Sequence, residues 1–342
     1  MGQSKKVSFP PLNGDVDAAH GFTSSMTGIT GSNPGHVDIA EKRVLWASVQ
    51  QQLAARVCVP RTVGMLEQYT EGDAEEANSF TPTFALPQSL LDEFDATTVL
   101  GPQLRRDAER RKTALLSSLW PLRYVGGVDI SFMKGTTLAV ACLVIMEYPT
   151  LRLCHTYFHQ CEVTEPYIPG FLAFREVGPL VELINKVRGE SCEEETGSLY
   201  PQLLLVDGCG VQHPLRCGLA SHLGVTLDLP TIGCAKSFMA VDGMTRESMH
   251  LLFAANDDGA CGATTTSAPL VKPMIGRSGA LWGYAATTNP GVRKPIFISP
   301  GHRVGYAEAA ALVLSMCRHR VPEPIRAADL SSRDYVRRMN LK

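Results

Sequence analysis

The sequence lacks the features of membrane-spanning and secreted proteins. Its longest uninterrupted apolar run, residues 138–146, ends at Glu147, whereas a membrane-spanning helix needs about 20 residues. Lys5 and Lys6 near the start are not followed by an apolar stretch, so no secretory signal is expected. We therefore expect no membrane partner and an intracellular location, in the cytoplasm or the nucleus.

The sequence also lacks paired cysteines. Its 10 cysteines occur singly, without a CxxC pair and without the close Cys/His spacing of a zinc site. Several lie inside apolar runs, where cysteine acts as a small core residue. This usage argues against a disulfide framework and for a reducing compartment.

Charge is scarce and nearly balanced. Charged residues make up 19% of the chain and the net charge is −2, which excludes a generally basic, nucleic-acid-coating protein. The charge is uneven, because residues 1–100 contain 6 basic and 12 acidic residues whereas the remainder contains 26 and 22. The mildly basic remainder permits a polyanionic partner without requiring one.

The chain divides into a tail and one folded domain. Residues 1–37 are rich in Gly, Ser, Thr and Pro and lack hydrophobic periodicity, which predicts a disordered tail. Residues 38–342 form the predicted domain, interrupted by two polar, loop-like insertions at about 58–118 and 242–278. No internal repeat is apparent.

The domain opens with a predicted helix at residues 37–57. Its apolar residues recur at near-helical intervals, with good helix formers between them. We expect this stripe to pack on the rest of the domain: Ile39, Val44, Leu45, Val49 and Leu53.

From residue 122 onward the pattern is that of an α/β protein. Short turns separate the first three strand-like segments, which indicates an antiparallel meander, and the later apolar segments are typical of buried parallel strands. The strand segments are 123–132, 136–148, 151–163, 201–208, 230–235, 280–287 and 294–300, and the helical segments are 168–188, 215–223 and 306–318. We predict a mixed sheet, antiparallel at its start and parallel in its continuation, flanked by helices.

Three carboxylates stand where apolar segments should exclude them. Asp129 interrupts "VGGVDIS", Glu176 lies in "FLAFREVGPL", and Asp207 ends "LLLVDG". A buried carboxylate either has a raised pKa or requires a positive partner. Mg²⁺ or Mn²⁺ would relieve the repulsion among three of them, because these ions prefer carboxylate oxygens.

Each acid has an ordinary explanation when it is taken alone. Asp129 could cap a turn, Glu176 could pair with Arg175 or Lys186, and Asp207 precedes a glycine, as turn residues often do. The metal-site hypothesis depends on all three occurring together.

Other polar residues follow the predicted strands. Lys236 ends the strand "TIGCA", at the kind of position where α/β sheets place their sites. His213 follows Asp207 by six residues, and His302 follows "FISPG". Either histidine could instead be a satisfied structural residue.

The segment "EPYIPG" has its own geometry. Pro166 and Pro169 bracket Tyr167 and Ile168, which predicts a rigid, exposed aromatic and aliphatic tip. It is either a structural turn or a wedge that inserts between nucleic-acid bases.

Six segments occur in an order that resembles the endonuclease V family: "VGGVDISF", "PYIPGFLAFRE", "LLLVDGCGVQHP", "LPTIGCAKS", "PIFISPGHR" and "RVPEPIRAAD". The resemblance implies a ribonuclease-H-like fold and an Mg²⁺-dependent nuclease, with Mn²⁺ able to substitute. We expect the protein to be a monomer. It also implies a single-stranded RNA or DNA substrate that contains inosine, cut at the second phosphodiester on the 3′ side of the inosine.

The same resemblance assigns residues to roles. The metal ligands fall on Asp129, Glu176, Asp207 and His302; the other catalytic residues fall on Lys236 and His213; the wedge falls on Pro166, Tyr167, Ile168 and Pro169; and the inosine pocket falls on Gly170, Gly208 and Gly210.

Two departures from the family pattern stand out. Asn289 and Pro290 occupy a region where some relatives have an extra aspartate, so His302 is expected to complete that side of the site. Cys209 stands where many relatives have His or Asn.

Two other functions stay open on the sequence. A protein could read inosine without cleaving the strand. A phosphotransferase with an actin-like fold could use "VGGVDIS" as a phosphate loop, although this leaves "PYIPG" and "SPGH" unexplained.

Overall fold

The structure is a computed structural model that describes residues 39–60, 122–193, 199–254, 270–288 and 294–339. The predicted tail, and the parts of the two predicted insertions at 61–118 and 255–269, lie outside these residues. In the described part of the chain, no helix is both long enough and apolar enough to cross a membrane.

The described residues form one sheet flanked by helices. The strands are β1 (Tyr124–Phe132), β2 (Leu138–Glu147), β3 (Arg152–Glu162), β4 (Leu203–Val206), β5 (Thr231–Ala235), β6 (Leu270–Ile275), β7 (Leu281–Thr287) and β8 (Ile296–His302). The helices are α1 (Ile39–Arg56), α2 (Ala173–Glu193), α3 (Leu219–Leu227), α4 (Arg246–Ala254), α5 (Tyr306–Ser315) and α6 (Glu323–Met339).

The sheet is mixed, as predicted, and its strand order is β3-β2-β1-β4-β5-β8-β7-β6. The first three strands form an antiparallel meander, and β1, β4 and β5 are parallel. The predicted parallel continuation ends there, because β8 runs antiparallel to β5 and β7 antiparallel to β8. The direction of β8 decides which of its ends lies near the carboxyl ends of β4 and β5.

Helices cover both faces of the sheet. Successive side chains of a strand point to opposite faces, so Val125 packs with α5 and the start of α6, whereas Val128 packs with α2 and α3. This three-layer arrangement buries β4 completely, which explains its uninterrupted apolar sequence.

Helix α1 forms where it is predicted but buries a different face. Its buried residues are Trp46, Gln50 and Leu53, whereas Val44 and Leu45 are 73% and 55% exposed. The buried stripe includes Gln50, whose Nε2 donates to the carbonyl of Cys217 at 2.7 Å. Because Gln50 is polar, the periodicity of apolar residues alone does not predict this buried stripe.

Residues 242–278 contain more regular structure than predicted. The loop-like interpretation is wrong for the parts that form α4 and β6. The interpretation of 242–278 as an insertion stays a prediction.

Helix α6 is missing from the sequence prediction. Pro324 lies in its first turn, a position that favours helix starts, and was the available signal. The helix crosses β1 so closely that a Cβ on Gly127 would lie 2.1 Å from the carbonyl of Pro324. The glycine pair of "VGGVD" therefore lies inside a packed strand, which excludes its use as a phosphate loop.

Candidate active site

Two parallel strands bring Asp129 and Asp207 to one edge of the sheet. Val128 of β1 is paired with Val206 of β4, and each aspartate is the next residue along its strand. Both side chains line a cavity of about 220 Å³ that Glu176 of α2 also lines. We call this cavity the acid cleft; its apolar walls are Val128, Ile130, Leu172, Leu180, Val206 and Leu219. The three predicted acids thus line one cavity; their role as metal ligands stays a prediction.

Glu176 lies in the first turn of α2, where the helix dipole favours an anion. Burial nevertheless raises the pKa of Glu176 to about 8, and the charges of Asp129 and Asp207 add to the increase, with Arg175 opposing it. The carboxyl group of Glu176 therefore favours its neutral form in this cleft.

Asp129 is contacted from helix α6. Ser332 Oγ donates to Asp129 Oδ2 at 2.6 Å. Burial raises the pKa of Asp129 despite this hydrogen bond, and the nearby charges of Asp329 and Asp207 contribute to the rise. The strand carries this carboxylate on the side that faces α6.

Lys236 directly follows β5, at the same edge of the sheet. Its Nζ lies 2.5 Å from Asp207 Oδ2. Burial alone would lower the pKa of Lys236, but the hydrogen bond and charge of Asp207 outweigh burial and raise it. Arg320 donates to the carbonyl of Lys236 at 2.8 Å and so anchors the main chain there. A positive charge is thus fixed beside the acids.

His213 joins the two loops that border the cleft. Its Nε2 lies 2.9 Å from the carbonyl of Gly170, and its Nδ1 accepts from the amide of Leu215 at 3.2 Å. Since a carbonyl only accepts, the proton is on Nε2. Burial lowers the pKa of His213, so the ring is neutral and holds the loop after β4 against the loop before α2.

The three predicted pocket glycines have different environments. Gly170 is exposed with φ +86°, a conformation that favours glycine, and open space surrounds its Cβ position. Gly208 is half-buried next to Leu219. Gly210 is buried, and its amide already donates to Ser299 Oγ at 2.9 Å. The Gly210 amide is therefore engaged within the protein, and the assignment of Gly210 to the inosine pocket stays a prediction.

The predicted tip is exposed only at Tyr167. This side chain is 62% exposed, whereas Ile168 is 1% exposed and packs against Trp46 and Phe174. The prediction of an exposed Ile168 is wrong, because α1 covers it. Pro166 and Pro169 flank the pair as expected, and an ion pair between Glu165 and Lys42 of α1 ties the loop to the helix.

Comparison with known proteins identifies the family. A family model described as Endonuclease V matches residues 105–330. The chain belongs to the endonuclease V family. The mouse endonuclease V is 41% identical over 222 residues, which cover 64% of this chain and 61% of the mouse chain, less than two thirds of its length. The human endonuclease V is 40% identical over 223 residues, covering 64% of this chain and 73% of the human one.

Solved structures of the family share this fold. The catalytic domain of human endonuclease V superposes with a TM-score of 0.63 at 31% identity, covering 88% of this chain and 98% of that domain. Endonuclease V of Ciona intestinalis, in complex with a DNA containing an inosine followed by a ribo-adenosine, gives 0.63 at 26% identity, covering 87% and 99%. The predicted ribonuclease-H-like fold is confirmed.

His302 does not join the acids. It pairs with Thr231 at the start of β5, whereas Lys236 follows the end of that strand. The two positions are therefore about 17 Å apart along the strand at about 3.3 Å per residue. His302 Nδ1 instead accepts from the amide of Cys58, and its Nε2 lies 3.5 Å from Asp228 Oδ1. The prediction of His302 as a metal ligand is corrected accordingly: its contacts fasten the end of α1 to the sheet.

Asp329 of α6 is the acid that sequence reasoning missed. Its charge raises the pKa values of both Asp129 and Lys236, which places it beside the cleft. It also lies 2.7 Å from Arg333, one turn along the helix. Asp329 is the last residue of the segment "RVPEPIRAAD". Because no helix was predicted there, the sequence did not indicate that this acid lies near the other three. Asn289 and Pro290, in the region where some relatives have an extra aspartate, lie outside the described residues.

The donor chemistry of the acid cleft suits a hard divalent ion. Burial, together with the charges of Asp129 and Asp207, raises the pKa of Glu176 to about 8, and a bound cation would favour the ionised carboxylate. Within the described ranges, however, no three metal-ligating side chains are placed to hold one ion together. Asp207 is engaged by Lys236, so holding an ion requires this carboxylate to turn from its lysine.

Proposed function

We propose that this protein is a metal-dependent endonuclease that recognises inosine in RNA or DNA. It hydrolyses the second phosphodiester on the 3′ side of the inosine and leaves 5′-phosphate and 3′-hydroxyl ends. The observation that carries the proposal is the acid cleft, where Asp129, Glu176 and Asp207 meet beside Lys236. Family membership and the inosine-containing DNA bound by the Ciona relative support it.

Asp129, Glu176 and Asp207 would hold Mg²⁺, with Mn²⁺ as a substitute, and Asp329 lies close enough to act electrostatically on the same site. A bound divalent ion supplies an activated water and charge stabilisation for the leaving oxygen.

Lys236 supplies the fixed positive charge. Its pKa is raised, so it stays protonated and can neutralise a phosphate oxygen or orient the attacking water. The Arg320 contact to its carbonyl limits how far the lysine can move when Asp207 turns away.

Recognition of the base would take place at the loops that His213 joins. Tyr167 projects into solvent and is suited to stack on or separate bases. Gly170 and Gly208 lie in these two loops and have no side chains, so an extruded inosine would lie beside them. His213 keeps the two loops together.

We further propose single-stranded nucleic acid as the partner, with RNA preferred over DNA, and a monomeric enzyme. A 2′-hydroxyl gives a protein a group by which to recognise RNA. Cleavage rates on matched RNA and DNA oligonucleotides, each with one inosine, test the preference, and equal or faster DNA cleavage would reverse it.

The nuclease activity is tested with Asp129→Asn, which preserves the shape of the side chain and its acceptor for Ser332. We expect cleavage of an inosine oligonucleotide in Mg²⁺ to fall by more than the roughly 10–100-fold typical of losing an outer-shell partner. An oligonucleotide with adenosine in place of inosine is the control. Inosine-dependent binding by the wild type without any cleavage would contradict the proposal and indicate a non-cleaving reader.

A further inference from the structure

Ser332 links the acid cleft to helix α6. It is fully buried, and its Oγ lies within hydrogen-bond distance of three oxygens. These are Asp129 Oδ2 at 2.6 Å, Ser131 Oγ at 2.8 Å and the carbonyl of Asp329 at 3.0 Å. A helical serine commonly bonds only to the carbonyl three or four residues earlier, so the contacts to β1 need a separate explanation.

The single hydroxyl hydrogen of Ser332 limits which of these three oxygens it can donate to. A serine hydroxyl has one hydrogen and two acceptor sites. The contact to the carboxylate is the shortest and has the length of a charge-assisted O–H···O⁻ bond. Ser332 therefore gives its hydrogen chiefly to Asp129, and Ser131 can supply its own hydrogen to Ser332. The result is an ordered chain from Ser131 through Ser332 to Asp129.

We propose that Ser332 is a positioning residue for the metal site: it engages Oδ2 of Asp129 and leaves Oδ1 free to bind the divalent ion. The inference rests on the proposed function. Partners that orient a metal ligand from outside the coordination sphere raise affinity and fix geometry. Ser332 also joins Asp129 to the helix that carries Asp329, so the two acids are positioned together.

The direct test is Mn²⁺ binding to the full chain without nucleic acid, measured by electron paramagnetic resonance. We expect Ser332→Ala to weaken Mn²⁺ binding by about 10–100-fold. Ser332→Cys, which keeps a similar volume but donates weakly, should also bind Mn²⁺ less tightly. Ser332→Thr, which keeps the hydroxyl, should restore binding toward the wild-type value.

Ser331→Ala is the matched control. It makes the same change one position earlier in α6, at a half-buried residue, and should leave Mn²⁺ binding unchanged. In the cleavage assay, Ser332→Ala should raise the Mg²⁺ concentration needed for half-maximal rate, an effect that a merely structural role would not produce.

The outcomes separate the two proposals. A wild type that cleaves and binds Mn²⁺, with Ser332→Ala and Ser332→Cys binding it equally tightly, overturns the inference and leaves the proposed function standing. A wild type that neither cleaves nor binds Mn²⁺ overturns both. If Ser332→Ala does not fold, the comparison of the Cys and Thr variants decides: equal Mn²⁺ binding by these two overturns the inference.

Discussion

At the scale of the residue, Lys236 and Asp207 form an ion pair at the edge of the sheet. Their contact at 2.5 Å satisfies both groups while the cleft is free of cations. Under the proposed function, an ion bound by Asp207 would release Lys236 toward the substrate. Pairing with Asp207 therefore spares the partly buried ammonium group of Lys236 the cost of being unpaired.

Replacing Lys236 by methionine tests this role. The change keeps most of the apolar stem and removes the charge, so we expect kcat to fall by about 100-fold or more while KM changes little. Lys236→Arg should retain part of the rate. Steady-state kinetics on an inosine oligonucleotide measure both, with Lys272→Met on strand β6 as the control. A change confined to KM would show that Lys236 only binds substrate.

His302 yields a prediction about stability and pH. Burial, aided by the charge of Arg303, lowers its pKa to about 4, with Asp228 opposing the decrease. An unfolded histidine has a pKa near 6.5, so between about pH 6.5 and 4 the unfolded chain binds more protons. The free energy of unfolding therefore decreases as pH falls through this window.

The variant His302→Asn should reduce the slope of the free energy of unfolding against pH by an amount that corresponds to up to about one bound proton. Asparagine can still accept from the amide of Cys58. Denaturant unfolding at several pH values measures the slope, and cleavage at pH 7.5 should stay near the wild-type rate. A loss of cleavage without a loss of stability would return His302 to the active site.

At the scale of the element, α1 supports the loop that carries Tyr167. Trp46 stacks on Phe174 with ring centroids 4.7 Å apart and an interplanar angle of 2°. Ile168 is buried in the same cluster. Helix α1, which is distant in the sequence, thus packs against the buried side of the loop that exposes Tyr167.

We expect Trp46→Ala to cost stability near the lower end of the about 3–5 kcal/mol typical of losing a buried large aromatic residue, because this cluster is small. It should also make the segment around Tyr167 more accessible to limited proteolysis. Val44→Ala, on the exposed face of the same helix, should change stability by less than about 0.5 kcal/mol. Equal proteolysis of both variants would contradict the supporting role.

Elements with strong periodicity were predictable from the sequence, and those with weak or mixed periodicity were not. β1 to β5 and α2 carry clear apolar patterns, and the structure contains them. Helix α6 is rich in charge and buries only a narrow stripe that ends in Ser332. A hydroxyl that is buried for its hydrogen bonds does not register as apolar, so this helix and its Asp329 were overlooked.

At the scale of the whole molecule, the site is assembled from β1, β4, β5, α2 and α6. An ion bound by Asp129, Glu176 and Asp207 would join three of these elements: β1, α2 and the end of β4. Since a ligand stabilises the state that binds it, Mg²⁺ or Mn²⁺ at 100 times its dissociation constant should add about 2.7 kcal/mol to the free energy of unfolding.

Thermal unfolding with and without the metal measures this effect. The Tm of the wild type should rise on adding Mn²⁺ and return on adding a chelator, whereas Asp129→Asn should respond much less. An equal response in both proteins would place the metal elsewhere.

Strand direction explains both the success and the failure of the site prediction. The carboxyl ends of parallel β4 and β5 lie at one edge, so residues that directly follow apolar strands, Asp207 and Lys236, could be grouped from the sequence. His302 ends an equally apolar strand, but β8 runs the other way and carries the histidine to the opposite edge. The apolar composition of a strand does not reveal its direction, so the sequence could not separate these cases.

The close approach of Gly127 to Pro324 has a mechanical consequence. Because no side chain separates the two backbones, β1 and α6 have no compressible layer between them at this point. A push on the outer face of α6 would be transmitted directly to the strand two residues before Asp129. Main-chain contact therefore fixes how closely α6 approaches β1 near Asp129, while Ser332 joins the two elements on the side of the acids.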